Sequence, residues 1–336
     1  MRLSDIGGEF GFIERIRTTY AGAKSKDLVL PAGDDAAVLQ VPLDRQVVVT
    51  TDLLIEGIHF RREWSDFYSV GWKAAAVNLS DMAAMGADPT FTFVSLAFPK
   101  DETVEGLERL YDGLCDCLMR YGAQLAGGDT SAAVDGLVIN VTLLGTVPRG
   151  QALTRSGAKI GDVLLVTGTL GDSAAGLALL SQGSVVKAEK TSPECVLAHR
   201  RPQPRVVAAR AARETGLVHA AMDLSDGLTG DTAKLCAASG VGARIDAAAL
   251  PISDALKVAA AELGRPALNF ALSGGEDYEL LLTAAPGDVE ALCAAVAAAG
   301  TRLTPIGEII RTGFVVRGSD GADLPTKSGG WDHFAL

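Results

Sequence analysis

A regular exchange between two apolar periods restricts the fold more than any other feature of the chain. Runs at Gln46–Leu54, Thr90–Phe98 and Leu137–Val147 read as strands, and runs at Asp66–Met85 and Thr103–Tyr121 read as helices. A chain patterned this way belongs to the α/β or α+β class. The exchange stops at Pro148-Arg149-Gly150, where two turn formers flank a charge just after an apolar strand. It resumes with a strand at Asp162–Thr167 and helical runs at Asp172–Leu180, Pro204–Thr215, Gly230–Ala238 and Val289–Ala299. Further strands are expected near Ala243–Asp246 and Tyr278–Thr283. A length of 336 residues suits about two domains, and the break divides them at 1–148 and 149–336.

Charge and cysteine usage narrow the partners. With 41 acidic against 30 basic residues the net charge is -11, which opposes binding to nucleic acid or to an anionic membrane surface. No apolar run approaches the ~20 residues that span a bilayer, and the first residues lack the order of a secretory signal. The five cysteines are scattered and odd in number, so no disulfide framework is expected and the compartment reads as a reducing cytoplasm. Cys115 and Cys117, two apart on a predicted helix, point in different directions and read as packing residues.

Glycine makes up 38 of the 336 residues, and much of it stands beside acids. The strings are Gly33-Asp34-Asp35, Thr50-Thr51-Asp52, Asn78-Leu79-Ser80-Asp81, Gly127-Gly128-Asp129-Thr130 and Asp223-Leu224-Ser225-Asp226-Gly227. Any one of them reads as a turn or a helix cap, since Asp and Gly are favoured there in every protein. Together, at or near predicted element ends, they supply the hard oxygen donors that Mg²⁺ takes along with water and substrate phosphates. Their glycines allow backbone N–H groups to approach a phosphate closely. Neither a G-x-x-x-x-G-K-[ST] loop nor a G-x-G-x-x-G turn after the first strand occurs. His59, His199, His219 and His333 lie far apart, which makes zinc the weaker alternative.

The same strings resemble the thiamine-monophosphate kinase family, within the superfamily of aminoimidazole ribonucleotide synthetase. Gly33 to Ala37, Thr50 to Leu53, Lys73 to Pro89, Gly127 to Thr130 and Asp223 to Leu228 carry the superfamily likeness. Leu153 to Ala158, Ser273 to Leu281 and Trp331 to Phe334 carry the likeness to this kinase in particular. The resemblance implies a two-domain fold of the synthetase type and a homodimer joined through the N-terminal domains. It also implies transfer of the ATP γ-phosphoryl group to thiamine monophosphate, directly and in line, assisted by several Mg²⁺ ions. Asp35, Thr50, Thr51, Asp52, Asp81, Asp129, Asp223 and Asp226 would then be metal ligands. Tyr111, Gly128, Asp129, Arg155 and Ser225 would meet ATP, and His59, Glu276 and Trp331 the acceptor substrate. Asp34 is expected on the other side of its turn, Asn78 as support for the metal site and Lys73 as an ordinary helix residue. Another ATP-dependent member of the superfamily, or a non-catalytic ATP sensor, is the alternative.

Overall fold

The protein is described here by a computed structural model covering residues 1–21, 26–30, 36–318 and 320–324. Asp34, Asp35 and Trp331 to Phe334 therefore lie outside the described residues. The chain forms two compact units, one of residues 1–82 and 87–150, the other of residues 83–86 and those from 151 onward.

In the first unit the elements are α1 (Gly8–Thr19), β1 (Leu28–Leu30), β2 (Val38–Leu39), β3 (Arg45–Ile55), α2 (Phe67–Ala84), β4 (Asp88–Phe98), α3 (Val104–Arg120), β5 (Gln124–Ala132) and β6 (Val138–Pro148). The four long strands form one sheet in the order β3-β6-β4-β5. β4 and β5 are parallel, which demands a crossover, and α3 supplies it. α3 is amphipathic in the expected way: Val104, Leu107, Leu110, Tyr111, Leu114 and Leu118 recur three and four apart and are all buried. Thr103 caps its start, its Oγ1 accepting from the Gly106 N–H at 3.2 Å.

α2 and α3 meet backbone to backbone. A Cβ on Gly71 would stand 1.8 Å from the Leu110 carbonyl oxygen, and one on Gly113 would stand 1.9 Å from that of Tyr68. Glycine is required at both places by proximity. The contact fixes where α2 lies, and α2 carries Asn78, Ser80 and Asp81.

The second unit contains β7 (Val163–Thr167), α4 (Asp172–Leu180), α5 (Val185–Thr191), α6 (Pro193–Arg200), α7 (Val206–Thr215), β8 (Ala220–Asp223), α8 (Leu228–Ser239), β9 (Gly242–Asp246), α9 (Asp254–Leu263), α10 (Ala267–Ser273), β10 (Leu280–Ala284), α11 (Val289–Ala298), β11 (Leu303–Ile310), β12 (Phe314–Arg317) and β13 (Asp323–Leu324). Its sheet runs β13-β12-β9-β11-β7-β10-β8, antiparallel except for the β12–β9 pair. β8 and β10 are buried at every residue, and apart from Asp223 and Thr283 their residues are apolar. Leu164, Val166, Met222, Ile245, Leu281 and Ile309 form the centre of the core.

One buried ion pair ties this core to the loop before β10. Arg205 Nε donates to Glu279 Oε2 at 2.6 Å, and Nη2 bonds the other oxygen. Thr167 Oγ1 also donates to Glu279 Oε2 at 2.6 Å and accepts from the Leu280 N–H at 2.7 Å.

One of the acid-bearing strings sits elsewhere than expected. Thr50 to Asp52 lie in β3, as the strand read at Gln46–Leu54 implies, but Gly127 to Asp129 lie in the middle of β5, where the sequence pattern predicts no strand. The glycines of β5 serve contact with β4, because a Cβ on Gly128 would stand 2.0 Å from the Val94 oxygen. The helices α5, α6, α9 and α10 are not among those expected from the sequence; α5, α6 and α10, of 7 or 8 residues, are too brief for a period to stand out.

Two stability effects are expected. Gly113→Ala should cost about 1–3 kcal/mol in urea unfolding, because the added methyl meets main-chain atoms that cannot rotate aside. Arg205→Met should cost about 3 kcal/mol, the lower end for a broken buried pair, since the arginine side chain is 27% exposed and that of Glu279 only 5%. An unchanged midpoint in either variant would contradict the contact concerned.

Candidate active site

Alternation along β3 sends Thr50 and Asp52 to the same face of the first sheet. Asp52 shares a cross-strand row with Val141, Val94 and Gly128, and this is the face with the buried apolar residues. On the same side, α2 presents Asp81, whose Oδ2 accepts a short hydrogen bond from Thr50 Oγ1. Burial first, and the neighbouring charge of Asp81 second, push the Asp52 carboxyl up to about 6. Two carboxylates and a hydroxyl thus share one half-buried place. One turn earlier on α2, Asn78 is fully buried; its Nδ2 donates to the Ala74 oxygen at 3.1 Å, and its Oδ1 has no hydrogen-bond partner among the described residues.

The adjacent row faces the other way. Asp129 pairs with Ser95, which pairs with Asn140, and Leu53 completes the row. Thr51 also projects to this open face, where its Oγ1 lies 3.2 Å from Thr142 Oγ1 and accepts from Asn140 Nδ2 at 3.0 Å. The structure therefore gathers Thr50, Asp52 and Asp81, and sets the side chains of Thr51 and Asp129 on the opposite face of the same sheet.

His59 is held in the turn after β3. The Ile55 N–H donates to its Nδ1 at 3.0 Å, which puts the ring proton on Nε2. The Lys73 ammonium donates to the His59 carbonyl oxygen at 3.3 Å, so this buried lysine braces the turn. Tyr111, expected at the nucleotide, is 3% exposed and stacks on Tyr20 with ring centres 5.7 Å apart. Its ring packs in the core, where the period of α3 directs it, and burial holds its hydroxyl well above the usual tyrosine range.

In the second unit, two sequence strings hydrogen-bond to one another through their backbones. The Glu276 N–H donates to the Ser225 oxygen at 2.8 Å, that of Tyr278 to the Leu224 oxygen at 2.9 Å, and that of Leu224 to the Glu279 oxygen at 2.8 Å. Asp223, at the end of β8, is buried beside this contact. Asp231, which the sequence reading passed over, latches the loop: its Oδ2 accepts from the N–H groups of Ser225 at 3.0 Å and Asp226 at 2.9 Å. An acid in the first turn of α8, five residues after Asp226, was the available signal. Burial raises the Asp231 carboxyl, while Lys234 bonds both Asp231 and Asp226.

Glu276 and Tyr278 both adopt left-handed backbone, with φ of 64° and 51°. Between them Asp277 is half-buried, with both its oxygens accepting from the Gly171 N–H at 2.9 Å, and desolvation of the carboxyl drives it well above the usual range. Arg155 is exposed on the segment beside β8, where the Thr154 oxygen accepts from the Ala221 N–H at 2.8 Å. Its own carbonyl accepts from Ser239 Oγ at 2.9 Å.

Residues 33–147 match the N-terminal domain of AIR synthase related proteins, and residues 159–318 match their C-terminal domain. The chain is 42% identical over 331 residues to the thiamine-monophosphate kinase of Escherichia coli (strain K12), covering 98% of each sequence. The crystal structure of the thiamine-monophosphate kinase from Stenotrophomonas maltophilia K279a superposes with a TM-score of 0.81 at 40% identity, covering 93% of this chain and 96% of that one. AaThiL complexed with AMPPCP and TMP superposes with a TM-score of 0.77 at 35% identity, covering 99% of both chains. The chain belongs to the thiamine-monophosphate kinase family and is built from the two AIR synthase-related domains.

Proposed function

We propose that this chain transfers the γ-phosphoryl group of ATP to the phosphate of thiamine monophosphate, giving thiamine diphosphate and ADP by direct in-line attack. The observation that carries this reading is the Thr50, Asp52 and Asp81 donor group within a chain 42% identical to a thiamine-monophosphate kinase over 98% of its length. The acceptor is already a phosphate anion at neutral pH, so the reaction needs alignment and charge neutralisation more than a base.

The residues suit Mg²⁺. Two carboxylates with a hydroxyl nearby are the hard oxygen donors that the ion takes from protein, and water and phosphate oxygens complete its shell. Bound Mg²⁺ would supply neutralisation of the phosphate charges and polarisation of the transferring group. Asp52, Asp81 and Thr50 are assigned to hold one ion on their shared face, while Asp129 and Thr51 on the opposite face, Asp35, and Asp223 and Asp226 of the second unit are assigned as ligands of further Mg²⁺ ions. In the nucleotide site, Arg155 pairs with a phosphate oxygen and Gly128 and Ser225 contribute close backbone approach. His59, Glu276 and Trp331 are assigned to thiamine monophosphate, an indole being suited to the cationic thiazolium ring.

Residues 1–148 and 149–336 serve as the two functional domains. The homodimer reading is supported by the open face of the first sheet, where the edge strand β3 exposes Val47 by 47%, Val49 by 60% and Leu53 by 47%. Among the described residues no helix is long and apolar enough to cross a membrane, and all five cysteines are unbridged thiols, which supports a cytoplasmic site of action.

Purified chain with ATP and Mg²⁺ should convert thiamine monophosphate to thiamine diphosphate, and turnover of a purine precursor instead would overturn the assignment. Asp52→Asn should lower that turnover by about 100-fold or more, the loss of roughly 3 kcal/mol of transition-state stabilisation, with the unfolding midpoint unchanged or raised. Activity near wild type would remove Asp52 from the metal site.

The raised Asp52 carboxyl also sets a pH dependence. With a folded value of about 6 against 3.8 for the free side chain, the metal-free native state holds a proton that the unfolded chain lacks between those values. Asp52 therefore makes the metal-free fold less stable as pH rises through that window, and bound Mg²⁺ would offset the loss. Calorimetric titration should find Mg²⁺ affinity falling by up to about tenfold per pH unit below 6, with proton release on binding. Affinity independent of pH between about 5 and 8 would contradict this assignment of Asp52.

A further inference from the structure

We propose that His199 is a positioning residue for the acceptor site, fixing the Glu276 carboxylate in the orientation that receives thiamine monophosphate; this rests on the reading of Glu276 given above. The loop from Ser273 to Glu279 is arranged so that its backbone is fully determined. Left-handed backbone at Glu276 and Tyr278 is uncommon for residues other than glycine and persists only where the surroundings enforce it. Here they do so on both sides of Glu276. The Glu276 and Tyr278 N–H groups are bound to the 224–225 backbone, Asp277 is clasped by the Gly171 N–H, and Glu279 is locked to Arg205.

That scaffold sets the direction of the Glu276 Cα–Cβ bond and leaves the later side-chain torsions undetermined. His199, on α6, acts on those torsions. It is 4% exposed, and its Nδ1 stands 3.1 Å from Glu276 Oε2. A carboxylate only accepts, so Nδ1 carries the ring proton in this contact, an assignment made from the chemistry of the partner. Ser173 Oγ lies 3.4 Å from the same nitrogen.

Ser173 belongs to α4, and the N-terminus of α4 also binds Asp277 through backbone N–H groups. One short helix thus addresses neighbouring residues of the loop, Asp277 directly and Glu276 through His199. The Glu276 side chain remains 27% exposed, so a ligand can reach the carboxylate that His199 holds from the buried side. A buried histidine serving packing alone would not need its polar edge turned to an accessible acid.

The test is steady-state kinetics of the full chain with thiamine monophosphate and ATP varied separately, alongside calorimetric titration of thiamine monophosphate. His199→Leu should raise KM and Kd for thiamine monophosphate about tenfold while KM for ATP stays within about twofold, the size expected for one lost hydrogen bond to a charged group. His199→Asn, whose amide can stand in for Nδ1–H, should return the value to within about threefold of wild type. In a Glu276→Gln background, His199→Leu should add nothing further, because the two residues act as one unit. Additive effects in that cycle, or equal rises for both substrates, would overturn the proposal. If His199→Leu does not fold, Ser173→Ala carries the same comparison: about a threefold rise in KM for thiamine monophosphate is expected, and an unchanged value overturns the proposal. A wild-type chain without turnover of thiamine monophosphate would overturn the functional reading itself, and the assignment of His199 with it.

Discussion

Two aspartates held side by side make the central demand on the first unit. Asp52 and Asp81 belong to different elements, and burial first and the Asp81 charge second disfavour the charged form of Asp52, whose carboxyl is pushed up to about 6. Only a framework stable for other reasons can hold such a pair. The framework is the buried face of the four-stranded sheet together with α2, whose distance from α3 is set by Gly71 and Gly113. The Thr50 hydroxyl bridges β3 to Asp81, so the hydrogen bonding of the pair is local while its support is spread over the unit.

The second unit meets a comparable demand by mutual backbone pairing of two loops. The loop after β8 and the loop before β10 share three backbone hydrogen bonds, and their strands are neighbours in the sheet. Asp231 secures one loop from inside α8, and Asp277 with Glu279 secures the other. These acids have different duties from the exposed or half-exposed ones beside them. Asp231 is a buried and Asp277 a half-buried acceptor for backbone N–H groups, and Glu279 is a buried ion-pair partner, whereas Asp226 and Glu276 meet the side chains of Lys234 and His199 and keep access to solvent. Rigidity in the first three makes the other two available in a defined place.

Much of the architecture was legible along the chain because apolar periods report directly on burial. Thr103 to Tyr121 declared α3 by its spacing, and Leu137 to Val147 declared β6 by alternation. The acid-bearing strings were legible as chemistry but less so as position. Thr50-Thr51-Asp52 lies within the strand expected at Gln46–Leu54, but which of its adjacent hydroxyls meets Asp81 was settled only by alternation in the sheet, which sends them to opposite faces. Tyr111 shows the same limit, since nothing in its local sequence distinguishes an aromatic at a nucleotide from one packed against Tyr20.

The sequence by itself determined the class of fold, the donor chemistry of its aspartates and its membership of a family, because residue type and spacing carry that information without coordinates. Only the tertiary structure decided which donors share a face, that Asp52 feels the charge of Asp81 while Asp129 looks away, and that His199 meets Glu276 across 77 residues of chain. These are pairings between distant segments, set by strand register and helix packing, and no local pattern encodes a distance between residues that folding alone brings together.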